Sequence, residues 1–174
     1  VPGPRMPALD APGREAFLVL HPDWRFEGRV AYSHLGKGGS ARILWKQDGD
    51  HADVWLTAPL AAGSVRIRLS PDSAQILAVD GRLLAQGTPE SVLMQALQTP
   101  VPAAGLPAGL RAFWPGRPES TEAAMAGSVT VDGWQWQYLE WQDAPVRLPK
   151  KIELTRGETR LRILIDSWQA SPDE

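Results

Sequence analysis

Apolar and charged residues alternate along most of the chain. Phe26, Gly28, Val30 and Tyr32 fall on one side of an extended segment, with Arg25, Glu27 and Arg29 on the other. The same period of two sets Ala41, Ile43 and Trp45 against Arg42 and Lys46, and Val54 and Leu56 against Asp53 and Thr57. It recurs in Val65, Ile67 and Leu69 against Arg66 and Arg68, and in Leu161, Ile163 and Ile165 against Arg160 and Arg162. Such a period, with charge on one side, predicts strands of a sheet that buries one face and wets the other. Further strands are expected over 75–79, 82–86, 126–131, 135–141 and 150–155. Gly36-Lys37-Gly38-Gly39, Asp48-Gly49, Asp80-Gly81, Asp132-Gly133 and Arg156-Gly157 supply turns between them. Asp-Gly between alternating runs is a strong hairpin signal, because both residues tolerate positive φ. About ten strands on short turns form an antiparallel meander, which at this length must curl or close.

One stretch breaks the period. Thr88-Pro89-Glu90 reads as N-cap, N1 proline and first-turn acid, opening a helix that runs to about Gln98 and stops before Pro100. Val92, Leu93, Ala96 and Leu97 form one apolar stripe on it, so it packs against something. A second short helix over about 107–113 presents Leu106, Leu110 and Phe113, and prolines at 100, 102, 107, 115 and 118 punctuate the region. The expected arrangement is one domain over 1–174, in which helices over about 89–114 form a lid or plug on a curved sheet. Residues 1–13, rich in proline and glycine, are expected to be a flexible N-terminal segment.

Composition narrows the function classes. A net charge of −2 over 174 residues offers no electrostatic attraction for nucleic acid or an acidic surface. No run of about 18 apolar residues exists to span a bilayer. The start lacks the basic and apolar regions of a signal peptide, which either has been removed or was never present. The absence of cysteine excludes disulfides, thiol catalysis and thiolate metal sites. Eight tryptophans beside three phenylalanines fit either a large β core or the wall of a cavity, and both readings stand at this level.

The search for catalytic chemistry returns little. His21, His34 and His51 have no metal-ligand spacing, and each lies beside a proline, a turn or a hairpin end. Gly36 to Ser40 lacks the spacing of a phosphate loop and leads into a strand. Asp48, Asp50 and Asp53 belong to no calcium-loop pattern, and there is no G-x-S-x-G. No catalytic residue, metal or cofactor is expected.

The connector from Thr57 to Ser64 is unusual, because a loop tip should be polar and this one reads Ala58-Pro59-Leu60-Ala61-Ala62-Gly63. Leu60 either folds back on the core or projects toward an apolar partner or membrane. At this point a family resemblance enters. Gly28-Arg29-Val30-Ala31, Ser40-Ala41 with Trp45, and the run from Asp53 to Leu60 are similar to the LolB family of outer-membrane lipoprotein receptors. Leu148-Pro149 and the ending Ile163-Leu164-Ile165-Asp166-Ser167-Trp168 continue the likeness, which extends from about Trp24 to Trp168.

The resemblance implies an unclosed antiparallel half-barrel of about ten to eleven strands with a helical lid over a hydrophobic cavity. It implies a monomeric receptor on the periplasmic face of the outer membrane. Such a receptor accepts lipoproteins from a LolA-like periplasmic carrier, binds their acyl chains, and inserts them into the inner leaflet. Pro59, Leu60 and Ala61 would form the membrane-delivery loop, with Ala61 standing where the family commonly has glycine. The acyl-chain wall would comprise Phe26, Val30, Ile43, Trp45, Val54, Leu56, Val65 and Ile67, closed by Leu93, Leu97, Leu106 and Leu110. Family members are anchored through an N-terminal lipidated cysteine; with none in this sequence, the expectation is a truncated, soluble form. Arg66 and Arg68 are candidate carrier contacts by charge. The competing readings are a soluble LolA-like carrier, an interaction domain with a filled core, and a lipid hydrolase.

Overall fold

The alternating segments form ten strands of one antiparallel sheet. The computed structural model describes residues 11–57, 64–144 and 146–169. Helix α1 (Ala11–Leu20) precedes β1 (Trp24–His34), β2 (Lys37–Asp48), β3 (His51–Thr57), β4 (Ser64–Leu69), β5 (Ala74–Ala78) and β6 (Leu83–Gly87). Next come α2 (Pro89–Leu97), a 3-10 turn (Ala103–Gly105), α3 (Leu106–Arg111) and α4 (Pro118–Ala126). The sheet resumes with β7 (Ser128–Val131), β8 (Trp134–Gln142), β9 (Leu148–Arg156) and β10 (Thr159–Gln169). Pro59, Leu60 and Ala61 lie outside the described residues.

Strand order is β6-β5-β4-β3-β2-β1-β10-β9-β8-β7. The first and last strands are therefore neighbours in mid-sheet, while β6 and β7 are its two edges and the barrel stays unclosed. Register aligns the inward residues in rows: Phe26 faces Trp45, Trp45 faces Val54, Val54 faces Ile67, and Val30 faces Ile163. A bulge at Glu27/Gly28 bends β1 against β10, and a Cβ at Gly28 would collide with the Leu164 carbonyl.

Turn chemistry differs from the sequence expectation in three hairpins, one of them the β9–β10 turn, which falls on Gly157 and Glu158 rather than on Arg156-Gly157. The β1–β2 turn is Leu35-Gly36, at φ 53° and 82°, so Gly38 and Gly39 belong to β2. Leucine in the left-handed region costs about 1–2 kcal/mol relative to a residue free of the Cβ clash, yet Leu35 is 65% exposed. The β2–β3 turn falls on Gly49 and Asp50 rather than on Asp48-Gly49. Asp132-Gly133 does form the expected positive-φ pair, at 52° and 84°.

Helix α2 starts as its capping residues dictate: the Thr88 hydroxyl accepts from the Ser91 amide at 3.2 Å and Pro89 opens the first turn. It ends on Gln98 in the left-handed conformation, two residues before Pro100. Two helices go beyond the sequence expectation. Helix α4 has no apolar stripe and buries only Ala124, and Pro118 is its opening residue rather than a break between elements. Helix α1 takes in residues 11–13, which the proline and glycine content assigns to a flexible segment. It is secured by Leu18 and Arg14, both 2% exposed, rather than by a long stripe.

The main core lies on the concave face of the sheet under α2 and α3. A smaller cluster of Leu18, Phe113, Val146 and Leu148 seats α1. Among the described residues, no helix is long and apolar enough to cross a membrane.

Candidate functional site

An enclosed apolar space lies between the middle of the sheet and the first two inserted helices. Its floor is Phe26 and Val30 of β1, Ile43 and Trp45 of β2, Val54 and Leu56 of β3, and Leu161 and Ile163 of β10. Its roof is Leu93 and Leu97 of α2, Val101, and Leu106 and Leu110 of α3. Every lining residue is hydrocarbon or aromatic, so nothing in the wall can bind, polarise or attack a polar substrate. The free volume is about 40 Å³, enough for a few water-sized spheres at most. The space is thus nearly filled by its own walls.

Ten of the twelve inward positions named from sequence surround this one space. Ile67 is instead fully buried in solid core, and Val65 packs half-buried at its margin. Leu161 and Ile163, inward by their alternation, also join the wall, although nothing local says that β10 lies beside β1. Val101 is likewise hidden, between two prolines.

The tryptophans divide by role. Trp45 lines the space, and its indole N–H donates to Gln47 Oε1 at 2.9 Å, while the Gln47 amide donates to the Gly49 carbonyl. Trp24 stacks on Trp45 at 6.4 Å and meets Trp168 at 5.6 Å, in core. Trp55 and Trp141 are partly exposed and stack with Arg66 and Arg147. Trp114, Trp134 and Trp136 border a second, open groove of about 540 Å³ between α2 and β7–β8, where the barrel is unclosed. Val101 lines both the groove and the enclosed space.

The two roof helices are held differently. Helix α3 is pinned by polar groups. Arg14 of α1 donates to the carbonyls of Arg111, Ala112 and Arg147, at 2.5, 3.2 and 2.8 Å. Arg111 returns the arrangement, donating to the carbonyls of Leu18 and His21 at 3.2 and 2.9 Å. Each arginine thereby caps the C-terminal end of the other's helix. Burial lowers both guanidinium pKa values to about 10, and for Arg14 the neighbouring Arg111 charge adds to the effect. The Tyr138 hydroxyl donates to the Gly109 carbonyl at 2.5 Å, and the Trp136 ring lies where a Cβ of Gly109 would be. Burial raises the Tyr138 pKa well above the ordinary phenol value, so it stays a donor. Helix α2 has no such tether among the described residues. The side-chain hydrogen bonds of Thr88, Ser91, Gln98 and Thr99 all stay within residues 88–99.

The titratable groups noted from sequence are used locally. His21 Nδ1 lies 2.8 Å from the Phe17 carbonyl, His34 Nδ1 lies 2.7 Å from Thr159 Oγ1, and His51 pairs with Asp50. Arg66 and Arg68 share Asp53, at 2.9 and 3.5 Å. Among the described residues, no group of three potential ligands could hold a metal ion.

Comparisons with known proteins identify the relatives of this chain. The family model described as "Outer membrane lipoprotein LolB" matches residues 22–168. The outer-membrane lipoprotein LolB of Xanthomonas campestris pv. campestris strain B100 is 34% identical over 169 residues, covering 91% of this chain and 78% of its own. That of Xylella fastidiosa strain 9a5c is 33% identical, covering 89% and 74%. Among solved structures, the LolA superfamily protein NE2245 from Nitrosomonas europaea is similar over 95% of this chain and 96% of its own, at 8% identity and a TM-score of 0.35. With a family model matched from the start of the sheet to its end, and relatives at a third identity over nine-tenths of the sequence, this chain belongs to the LolB family of outer-membrane lipoproteins.

Proposed function

We propose that this outer-membrane lipoprotein receptor takes the acyl chains of its cargo into the apolar space beneath α2 and α3. Its family is one of lipoprotein trafficking and not of enzymes. The observation that carries the proposal is an aliphatic and aromatic interior under a helix whose side-chain hydrogen bonds stay within its own segment. A volume of about 40 Å³ does not admit a long acyl chain, so occupancy requires the roof to move. Lifting α2 exposes apolar side chains but breaks no side-chain hydrogen bond to the sheet, whereas lifting α3 breaks the Arg14, Arg111 and Tyr138 bonds. The acyl chain enters through the open groove, past Val101.

Energetics favour handover over diffusion. Each buried CH₂ is worth about 0.8 kcal/mol, so one long chain represents on the order of 10 kcal/mol against water. A LolA-like carrier and this receptor offering comparable burial exchange cargo almost isoenergetically, and a bias of about 1.4 kcal/mol directs it tenfold. The receptor works as a monomer at the periplasmic face, with Pro59, Leu60 and Ala61 as its delivery loop. Leu60 inserted in lipid contributes about 1.5–3 kcal/mol, enough to seat the loop but too little to anchor the chain.

A lipopeptide carrying a photoreactive group on its acyl chain tests the site. Labelling should fall on the wall around Ile43, Leu97 and Leu110; labelling confined to the outer face would contradict the proposal. Leu60→Glu tests the loop: uptake from the carrier should persist while incorporation into membranes falls. Incorporation at the parent rate removes the role assigned to Leu60.

A further inference from the structure

The hairpins of this sheet alternate between its two ends, and one end collects four tips among the described residues. The pairings His34↔Lys37, Val65↔Ala78, Val131↔Trp134 and Thr159↔Arg156 place the β1–β2, β5–β6, β7–β8 and β9–β10 connections on a single rim, where the strand ends Thr57 and Ser64 also pair. Two of these tips, well separated, present aliphatic side chains to water. Leu35 is 65% exposed at the β1–β2 turn, Val79 is 82% exposed at the β5–β6 turn, and Leu83 follows at 48% where β6 begins. The β3–β4 connector between them lies outside the described residues.

We propose that this rim, through Leu35, Val79 and Leu83, is a docking surface for a lipid bilayer. The inference rests on the reading of the chain as a receptor that works at a membrane, and adds to it a surface that the cavity does not require. Three features support it. Leu35 occupies a left-handed turn position (φ 53°) that suits Gly, Asn or Asp, yet most of its side chain is left in water. Nothing local accounts for leucine there.

The spacing also selects the partner. Four strand intervals separate the two tips, about 19 Å along the sheet. A fluid bilayer receives separate tips together, whereas a protein partner requires a contiguous complementary patch. Finally, Lys37 and Arg82 are exposed beside the two tips, positioned to reach headgroup phosphates as the aliphatic groups enter. The tips of the other half of the rim, Asp132-Gly133 and Gly157-Glu158, present no exposed aliphatic side chain, and the exposed Asp80 of the β5–β6 tip accepts from the Arg82 amide at 2.9 Å. The molecule therefore docks tilted, with the β1–β6 half toward the lipid.

The test is sedimentation of the chain with vesicles of phosphatidylethanolamine and phosphatidylglycerol. The double variant Leu35→Asn, Val79→Asp should lose about tenfold or more in partition, while binding an acyl-chain probe as the parent does. Asparagine suits the positive φ of position 35, so the variant keeps its fold, as circular dichroism will check. Leu20→Gln, on the exposed α1 end at the opposite rim, is the control and should partition like the parent. Partition of the double variant within about threefold of the parent overturns the proposal, as does a parent chain that does not partition. A double variant that keeps its vesicle binding but loses cargo uptake from the carrier also overturns it, and assigns the rim to the carrier instead. Absence of acyl-probe binding in the parent chain itself is the separate failure of the cavity reading.

Discussion

Arg14 and Arg111 show how single residues fix the architecture of the site. Both are largely buried, and their side chains donate to backbone carbonyls at the ends of two helices. Replacing Arg111 with methionine keeps much of the apolar stem but removes both bonds to the end of α1, and should lower unfolding free energy by about 1.5–3 kcal/mol in urea titration. Tyr138→Phe leaves the Gly109 carbonyl without this donor and should cost about 1–3 kcal/mol. The tyrosine also sets a pH dependence. Its folded pKa lies above 10 while the unfolded phenol ionises near 10. The folded state then holds the extra proton, so this contribution to stability is full below about pH 10 and declines above it. The gap between parent and Tyr138→Phe should therefore narrow above that pH. The two arginines act oppositely: with folded pKa values lowered to about 10, below the ordinary guanidinium value, the unfolded state binds more protons between the two, and their penalty is relieved as pH rises. These roles are invisible in sequence, because the partners of Arg14 and Arg111 lie about a hundred residues away.

At the scale of elements, strands and one helix were legible because their signals are local. The alternation around Ile43, Val54 and Ile163 fixes which face is inward, and Thr88-Pro89-Glu90 specifies the start of α2. Helices α1 and α4 were not legible, since one buries an arginine and a leucine and the other a single alanine. The place of β10 in the wall was not legible, because the β1–β10 pairing joins segments from the two ends of the chain. The unequal tethering of the roof makes a prediction here. Amide hydrogen exchange should be faster in α2 than in α3, and an acyl-chain ligand should slow α2 most. Equal protection of the two helices would contradict α2 as the moving part. Thr88→Ala, which removes the N-cap, should weaken α2 by about 1 kcal/mol and raise its exchange further.

For the whole molecule, an open sheet joins two tasks. Its concave face, roofed by a helix that packs through apolar contacts, suits acyl chains, and one rim of hairpin tips suits a membrane. Val101 stands between the open groove and the interior, lining both. Both tasks depend on an interior that opens for hydrocarbon. Titration of the native chain with a fluorescent fatty acid, in parallel with an Ile43→Phe variant that fills the space, puts that opening to the test. Binding should be saturable at one site in the parent and lost in the variant, which should remain folded at a cost of about 1–3 kcal/mol. Absence of saturable binding in the parent, or undiminished binding in Ile43→Phe, would contradict an interior that opens.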